Sequence, residues 1–211
     1  MSEIPIQLPS QDGEPAWEAA YFFPPQGQWD EATFLQFHSN RMAELVAGRL
    51  QILPMPSLLH QLIVLHLLDV FRGYLHRSGA GGLILMAPLP IKLFPGTIRE
   101  PDLLYVRPEH LPEDVDGYPD KLDLAVEVVS EGVEARKRDY QDKRVDYARA
   151  GIPEYWIVDA HEQRVSVLSL DGAAYVEHGV FSSGQIATSL LLSGLAIAVS
   201  DIWAVAQKLK R

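Results

Sequence analysis

The stretch "LAVEVVSEGV", residues 124–133, places one carboxylate, Glu127, inside a run of alanine and β-branched residues. A short apolar run of this composition is typical of a buried strand. Moving an unpaired carboxylate out of water costs several kcal/mol, on the order of the penalties known for buried ions. The sequence therefore predicts either a strand at a solvated sheet edge or a cationic partner for Glu127.

A second strand-like run, "EPDLLYV", begins at residue 100 and carries Asp102. If the two runs are antiparallel neighbours joined by the polar loop 107–122, pairing Val106 with Asp123 places Asp102 opposite Glu127. Opposed side chains have Cβ atoms about 4.5–5.5 Å apart, and like charges at that separation are destabilising. The pair must then be solvated, share a proton or bind a cation. Two converging carboxylates with open positions suit Mg²⁺ or Mn²⁺.

Residues 134–151, which follow these carboxylates, have a pattern that predicts a helix. This helix carries Lys143. At 100° per residue, Tyr140, Lys143 and Tyr147 fall within about 60° of one another. Tyrosines at this spacing usually face the core, so we expect Lys143 to point inward, where it can orient water or offset charge on a phosphate. The alternative is an exposed pair with Asp139, worth about 0.3–0.5 kcal/mol.

The rest of the chain mixes helical and extended patterns. They predict a short helix in "WDEATFLQFHSN" (29–40), a hairpin in "MAELVAGRLQILPMP" (42–56), a long helix over 58–77, an extended run in "GLILMAPLPIKLF" (82–94), a hairpin of "EYWIVD" and "RVSVLSL" (154–170), and an extended piece with a final helix in "SLLLSGLAIAVSDIWAVAQKLK" (189–210). This order lacks strict βαβ alternation, and there is no GxGxxG motif. We expect an α/β fold with a mixed central sheet flanked by helices rather than a Rossmann sheet.

Composition sets broad limits on the chain. At 211 residues it fits one domain, and the absence of cysteine excludes disulfides and thiolate metal sites, which agrees with a cytoplasmic location. Residues 1–28 contain five prolines and several aromatic residues, so we expect a packed N-terminal arm followed by a single domain over 29–211. The apolar stretch 58–77 is interrupted by three His, one Asp and two Arg, which indicates a buried helix and no membrane partner.

The distribution of charge bears on possible partners. A formal net charge of −10 argues against a nucleic acid. Residues 136–149, however, contain six basic residues against three acidic ones. Charge alone therefore does not decide whether the chain binds DNA.

Several motifs, taken in order, resemble a known family. They are "AELVAGRLQILPMPSLLHQLIV" (43–64), "PDLLYV" (101–106), "LAVEVVS" (124–130), "RDYQDKRVDYARAGIPEYWIVD" (138–159) and "SLLLSGLAIAVSDIW" (189–203). From about residue 30 to the C-terminus the chain resembles the Uma family of "putative restriction endonucleases", within the PD-(D/E)xK nuclease superfamily. The resemblance implies a restriction-endonuclease-like fold and hydrolysis of DNA phosphodiester bonds with a divalent metal.

The resemblance also implies site residues. Asp102 matches the motif Asp, Glu127 matches the motif Glu, and Glu44 resembles the upstream acid, which makes these three the expected metal ligands. Val129 stands where the usual lysine is found, and the family's lysine on the following helix matches Lys143. An ammonium on a flexible stem can reach the same site from either element. Without the resemblance, Glu44 is equally well a solvent-facing hairpin residue.

Two further residues are candidates for the lining of the site. His60 lies at a recurring position of the resemblance, although a core or surface histidine is the simpler interpretation. Tyr147 is more readily explained by packing than by chemistry.

Three functions remain open. The first is a Mg²⁺-dependent endonuclease in which Asp102, Glu127 and Lys143 are catalytic, and which would most simply cut both strands as a two-fold homodimer. The second is a non-catalytic DNA-binding or protein-interaction module of the same fold, favoured by the acidic charge and by Val129. The third is a metal-dependent hydrolase of a smaller phosphate substrate.

Overall fold

The computed structural model describes residues 23–37, 42–119 and 121–205. Most of the predicted arm lies outside the described residues, and only its end, from Phe23, is described. The ring of Phe23 stacks on Trp29 at 5.7 Å. The side-chain amide of Gln26 also exchanges two hydrogen bonds with the backbone of Leu50, at 2.8 and 3.1 Å.

The helices and strands agree in outline with the sequence patterns. In chain order they are α1 (Glu31–Leu35), β1 (Ala43–Val46), β2 (Arg49–Ile52), α2 (Leu58–Ser78), β3 (Leu83–Met86), β4 (Ile91–Phe94), β5 (Thr97–Arg99), β6 (Leu103–Val106), β7 (Leu124–Val128), α3 (Val133–Lys137), α4 (Lys143–Arg149), β8 (Glu154–Asp159), β9 (Arg164–Asp171), β10 (Ala174–Ser182), β11 (Ile186–Thr188), β12 (Ala196–Ala198) and α5 (Val199–Ala204). A π-helical turn, Arg138–Asp142, joins α3 to α4.

The predicted mixed sheet is confirmed. Six strands lie in the order β10-β9-β8-β7-β6-β3, with β7 and β8 parallel and the other neighbours antiparallel. Four further strands form a second sheet in the order β2-β1-β5-β4, and β11 pairs with β12.

The extended run 82–94 differs from the prediction, because it is two strands in two different sheets. β3 pairs with β6 in the six-stranded sheet, whereas β4 pairs with β5 in the four-stranded sheet. Pro88 and Pro90 lie between them, and a proline cannot donate a ladder hydrogen bond. The chain therefore leaves one sheet and enters the other at this point.

The register of β6 and β7 is the predicted one. Leu103 pairs with Val126, so one further step along both strands sets Asp102 opposite Glu127. Every residue of β7 is buried, because the strand is covered on both faces and lies between β6 and β8. This explains why its sequence is apolar throughout instead of alternating.

Helix α2 covers one face of the six-stranded sheet. Ile63, Leu67 and Phe71 are fully buried, and the ring of Phe71 contacts that of Trp156 edge-on at 5.7 Å. By length and composition alone, this helix could also span a membrane. The core helix of a globular protein passes the same test, and one face of α2 is buried in the core.

Candidate active site

An acidic cleft opens where the two main sheets meet. The start of β6, the end of β7, the first turn of α2 and the π-helical turn all contribute to its wall, and its volume of about 30 Å³ accommodates one or two water-sized groups. We define the acidic cleft by six of its polar side chains, which are His60, Glu100, Asp102, Glu127, Asp139 and Lys143. Ser130 and Arg138 also line it.

The cationic partner predicted for Glu127 is Lys143. Its Nζ lies 2.7 Å from Oε1 of Glu127, and the Tyr147 hydroxyl donates to the same oxygen at 2.6 Å. All three side chains are almost completely buried. Burial raises the pKa of Glu127 above its usual range, although Lys143 opposes the shift. Burial lowers the pKa of Lys143, but the surrounding carboxylates outweigh it, so the net shift is upward and the lysine stays charged.

The helix presents Lys143 as predicted but departs from a regular α-helix. The π-helical turn lies just before Lys143, and π-turns of this kind are frequent at functional sites. Lys143 and Tyr147 share the inward face, whereas the Tyr140 hydroxyl donates to Asp159 at 3.0 Å. Tyr140 is partly buried against the same hydrophobic cluster that contains Tyr147.

Glu44 lies on β1 and is fully buried instead of facing solvent. Its Oε2 accepts from Arg99 at 2.7 Å, while its Oε1 accepts from the Glu100 amide at 3.1 Å and lies 3.1 Å from Lys143 Nζ. Burial raises the pKa of Glu44, but Lys143 and Arg99 outweigh it, and the net shift is downward. Both oxygens are thus engaged by donors of the fold, and Glu44 holds Lys143 in place.

Arg99, which the sequence analysis did not single out, connects three elements. Its side chain is 1% exposed. Besides Glu44 it contacts Asp146 of α4 through Nε at 3.0 Å and through Nη2 at 2.6 Å. A guanidinium suits this arrangement because its fork of donors binds carboxylates in a fixed plane.

Asp102 is held at the mouth of the cleft by two donors. Its Oδ2 accepts from the Val128 amide at 2.8 Å and lies 3.2 Å from Nε2 of His60. The Ser57 hydroxyl caps α2 by accepting from the His60 amide, which fixes His60 in the first turn. Burial lowers the pKa of His60, but the hydrogen bond and charge of Asp102 outweigh it, so the net shift is upward.

Sequence reasoning missed Glu100 and considered Asp139 only as an exposed partner of Lys143, whereas both acids are buried in the cleft. Glu100 is 9% exposed, and burial, together with the charge of Glu44, raises its pKa to about 7. Asp139 lies on the π-helical turn 4.0 Å from Lys143, and burial raises its pKa as well. The spacing of Glu100 and Asp102 was a usable signal, because residues i and i+2 of an extended chain lie on the same face.

Val129, at the place of the usual lysine, is buried in a hydrophobic cluster that includes Tyr147 and Tyr155. The side chain that reaches Glu127 comes instead from α4. The displaced position predicted for the lysine therefore agrees with the structure.

Most basic residues of 136–149 are engaged within the fold. Arg136 pairs with Asp159 at 2.5 Å, Arg144 donates to the Tyr175 carbonyl at 2.9 Å, and Arg149 lies over the Phe94 ring. These three arginines are thus held by contacts within the fold, and Arg136 is paired with a carboxylate.

The donor set of the cleft is compatible with a hard divalent cation. The described hydrogen bonds use Oδ2 of Asp102 and Oε1 of Glu127, which leaves the second oxygen of each carboxylate for another ligand. Oε2 of Glu100 is buried and accepts no hydrogen bond within the described residues. In the same part of the chain, no three His, Asp or Glu side chains form a ready-made metal site. Two carboxylates completed by water is the arrangement that Mg²⁺ commonly uses.

Comparison with known proteins agrees with this fold. A crystal structure of a "putative nuclease belonging to DUF820" from Anabaena variabilis ATCC 29413 superposes with a TM-score of 0.68 at 17% identity, covering 83% of this chain and 98% of that one. The type IIG restriction endonuclease BpuSI matches with a TM-score of 0.40 at 12% identity over 74% of this chain and 18% of that one, and this weaker likeness carries no argument. No curated protein matches the sequence.

The family comparison covers most of the chain. The model of the Uma2 family, described as "Putative restriction endonuclease", matches residues 29–200. This range contains every polar side chain of the acidic cleft. The protein therefore belongs to the Uma2 family.

Proposed function

We propose that the protein is a metal-dependent endonuclease in which Asp102 and Glu127 bind Mg²⁺ or Mn²⁺ and Lys143 assists hydrolysis. The observation that carries the proposal is the buried ammonium of Lys143, which lies 2.7 Å from Glu127. Glu127 is on β7, the strand next to β6 and Asp102. An acid pair and a lysine at one cleft are the parts that metal-assisted phosphodiester hydrolysis needs.

A divalent ion at this site would supply Lewis acidity and a water of lowered pKa. The chain's own groups have separate tasks. Lys143 holds a fixed positive charge where charge accumulates on a phosphate in the transition state. Glu44 and Arg99 keep that lysine from moving, and His60 orients the carboxylate of Asp102.

The charge balance of the site supports a cation as its ligand. Carboxylates at and around the acidic cleft outnumber the buried cations, and Arg99 is shared between Glu44 and Asp146. Like charges gathered in a buried site favour protonation or the binding of a cation. A divalent ion would relieve this repulsion in the native state.

DNA is the substrate that family membership favours, and supercoiled plasmid incubated with Mn²⁺ or Mg²⁺ is the direct assay. We expect nicked or linear plasmid from the wild type and loss of cleavage from Glu127→Gln. The matched control is Glu131→Gln, which removes an exposed carboxylate just beyond β7. Linear product without a nicked intermediate would support a homodimer that cuts both strands.

Metal binding separates the alternatives. If neither metal stabilises the protein nor supports cleavage, the non-catalytic module becomes the better interpretation. If metal binds and nucleotides or small phosphodiesters are hydrolysed while plasmid stays intact, the function is that of a small-phosphate hydrolase. Cleavage that Glu127→Gln retains would overturn the assignment of the site.

A further inference from the structure

We propose that Glu100 is the third carboxylate ligand of the divalent ion at the acidic cleft. It would take the role that the family resemblance implies for Glu44. This inference rests on the proposed function, because it concerns the same ion held by Asp102 and Glu127. It goes beyond that function by identifying which further side chain completes the ligand set.

Glu44 and Glu100 differ in the hydrogen bonds that their carboxylate oxygens accept. Glu44 accepts from Arg99 through one oxygen and from the Glu100 amide through the other, and Lys143 lies 3.1 Å from the latter. Glu100 is 91% buried, yet its Oε2 accepts no hydrogen bond from any described residue. A buried carboxylate oxygen without a donor costs several kcal/mol, so native structures keep such groups chiefly where another ligand satisfies them.

The backbone places Glu100 to act with Asp102. The two residues are separated by Pro101, in the connection that leaves β5 of one sheet and enters β6 of the other. Extended backbone directs side chains i and i+2 to the same face, and both side chains line the cleft. Glu127 lines the same cleft, whose volume is about 30 Å³.

The charges that face Glu100 also favour a cation. Glu44 acts on it with the same sign, and Lys143 is the cation that opposes this repulsion. Lys143 already lies 2.7 Å from Glu127 and 3.1 Å from Glu44, so its charge is shared among several acids. A hard divalent ion that takes oxygen ligands would satisfy Glu100 directly.

The experiment measures Mn²⁺ binding to the full-length protein, without DNA, by isothermal titration calorimetry and by the electron paramagnetic resonance signal of free Mn²⁺. Four proteins are compared at pH 8, namely the wild type, Glu100→Gln, Glu100→Asp and the control Glu131→Gln. The control carries the same loss of charge at an exposed residue beyond the end of β7. A thermal melt without metal verifies folding, and Glu100→Gln should melt no lower than the wild type because the amide removes a buried, unpaired charge.

If Glu100 is a ligand, Glu100→Gln weakens Mn²⁺ binding by roughly tenfold or more, while Glu131→Gln stays within about twofold of the wild type. Glu100→Asp should also bind weakly, because its carboxylate is withdrawn by one methylene although its charge is kept. If Glu100→Gln or Glu100→Asp binds Mn²⁺ with the affinity of the wild type, the ligand assignment is overturned and the proposed function is left intact. A wild type that binds no Mn²⁺ at millimolar concentration overturns the metal site itself and this inference with it.

Discussion

Nζ of Lys143 lies 2.7 Å from Oε1 of Glu127, and the two side chains are 2% and 4% exposed. An ion pair this deeply buried is not an efficient way to stabilise a fold, because the desolvation of both charges offsets most of their attraction. Breaking such a pair is nevertheless costly, since it leaves one charge buried without a partner. A function at this site gives a reason for keeping the pair.

Lys143→Ala should separate catalysis from metal binding. A protonated lysine cannot ligate a metal, so the variant should bind Mn²⁺ as well as the wild type or better. Plasmid cleavage should fall by roughly 10²–10³, the scale for loss of one preorganised donor of charge. Without metal the variant should lose about 3–5 kcal/mol of unfolding free energy, measured by urea denaturation, and Mn²⁺ should restore part of it. The control is Lys137→Ala at an exposed position of α3. Wild-type cleavage by Lys143→Ala would show that the lysine is structural.

Arg99→Met should destabilise the fold by about 3–5 kcal/mol, because Glu44 would be left buried without its guanidinium partner. The measurement is urea denaturation at neutral pH without metal. Arg49→Met, at an exposed position of β2, is the control and should change the unfolding free energy by less than about 0.5 kcal/mol. Similar midpoints for the two variants would contradict the described role of Arg99.

The stability of the metal-free protein should depend on pH through Glu100. Burial and the charge of Glu44 raise the pKa of this carboxyl from 4.5 to about 7. Between these values the folded chain binds more protons at Glu100 than the unfolded chain does, so this side chain lowers stability as pH rises. The full shift corresponds to at most about 3 kcal/mol at pH 8.

Glu100→Gln removes that contribution, so the variant should be more stable than the wild type at pH 8 and close to it at pH 5. Urea midpoints across this range, measured in a chelator, test the expectation. A difference that does not change with pH would mean that Glu100 is not the titrating group.

Tyr147→Phe should separate the contribution of the hydroxyl group from that of the ring. The ring packs edge-on against Tyr155 at 5.1 Å and would stay, whereas the hydrogen bond to Glu127 would be lost. We expect a cost of about 1–3 kcal/mol in unfolding free energy and a change in Mn²⁺ affinity. Tyr175→Phe removes a buried hydroxyl that donates to the Ile152 carbonyl, and it should lower stability without changing Mn²⁺ affinity. Equal Mn²⁺ affinities in the two variants would reduce Tyr147 to a packing residue.

The central part of the fold could be predicted because its signals are local. An apolar run with one acid indicated β7. Assuming that Val106 pairs with Asp123 across the polar loop gave the antiparallel register that sets Asp102 opposite Glu127, which the structure has. The division into two sheets could not be predicted, because strand partners are chosen by long-range packing. The three residues of β5 are also too few to show a period.

Only part of the arrangement at the candidate site could be predicted from the sequence. Lys143 was expected to point inward and does so. The engagement of Glu44 depends on Arg99, and nothing in the local sequence links these two residues. A buried acid was also not apparent at Glu100, because Glu before Pro is ordinary in a turn and its burial comes from the meeting of the two sheets.

The buried contact between Arg99 and Glu44 joins residues that are 55 positions apart in the chain. Long-range contacts form only after the entropy of closing the intervening loop has been lost, and they slow folding. The charged groups of the cleft should therefore stay hydrated through most of the folding reaction and lose their water when the two sheets dock. The amide of Glu100, which donates to Glu44, should then exchange its hydrogen with solvent only when the whole molecule opens.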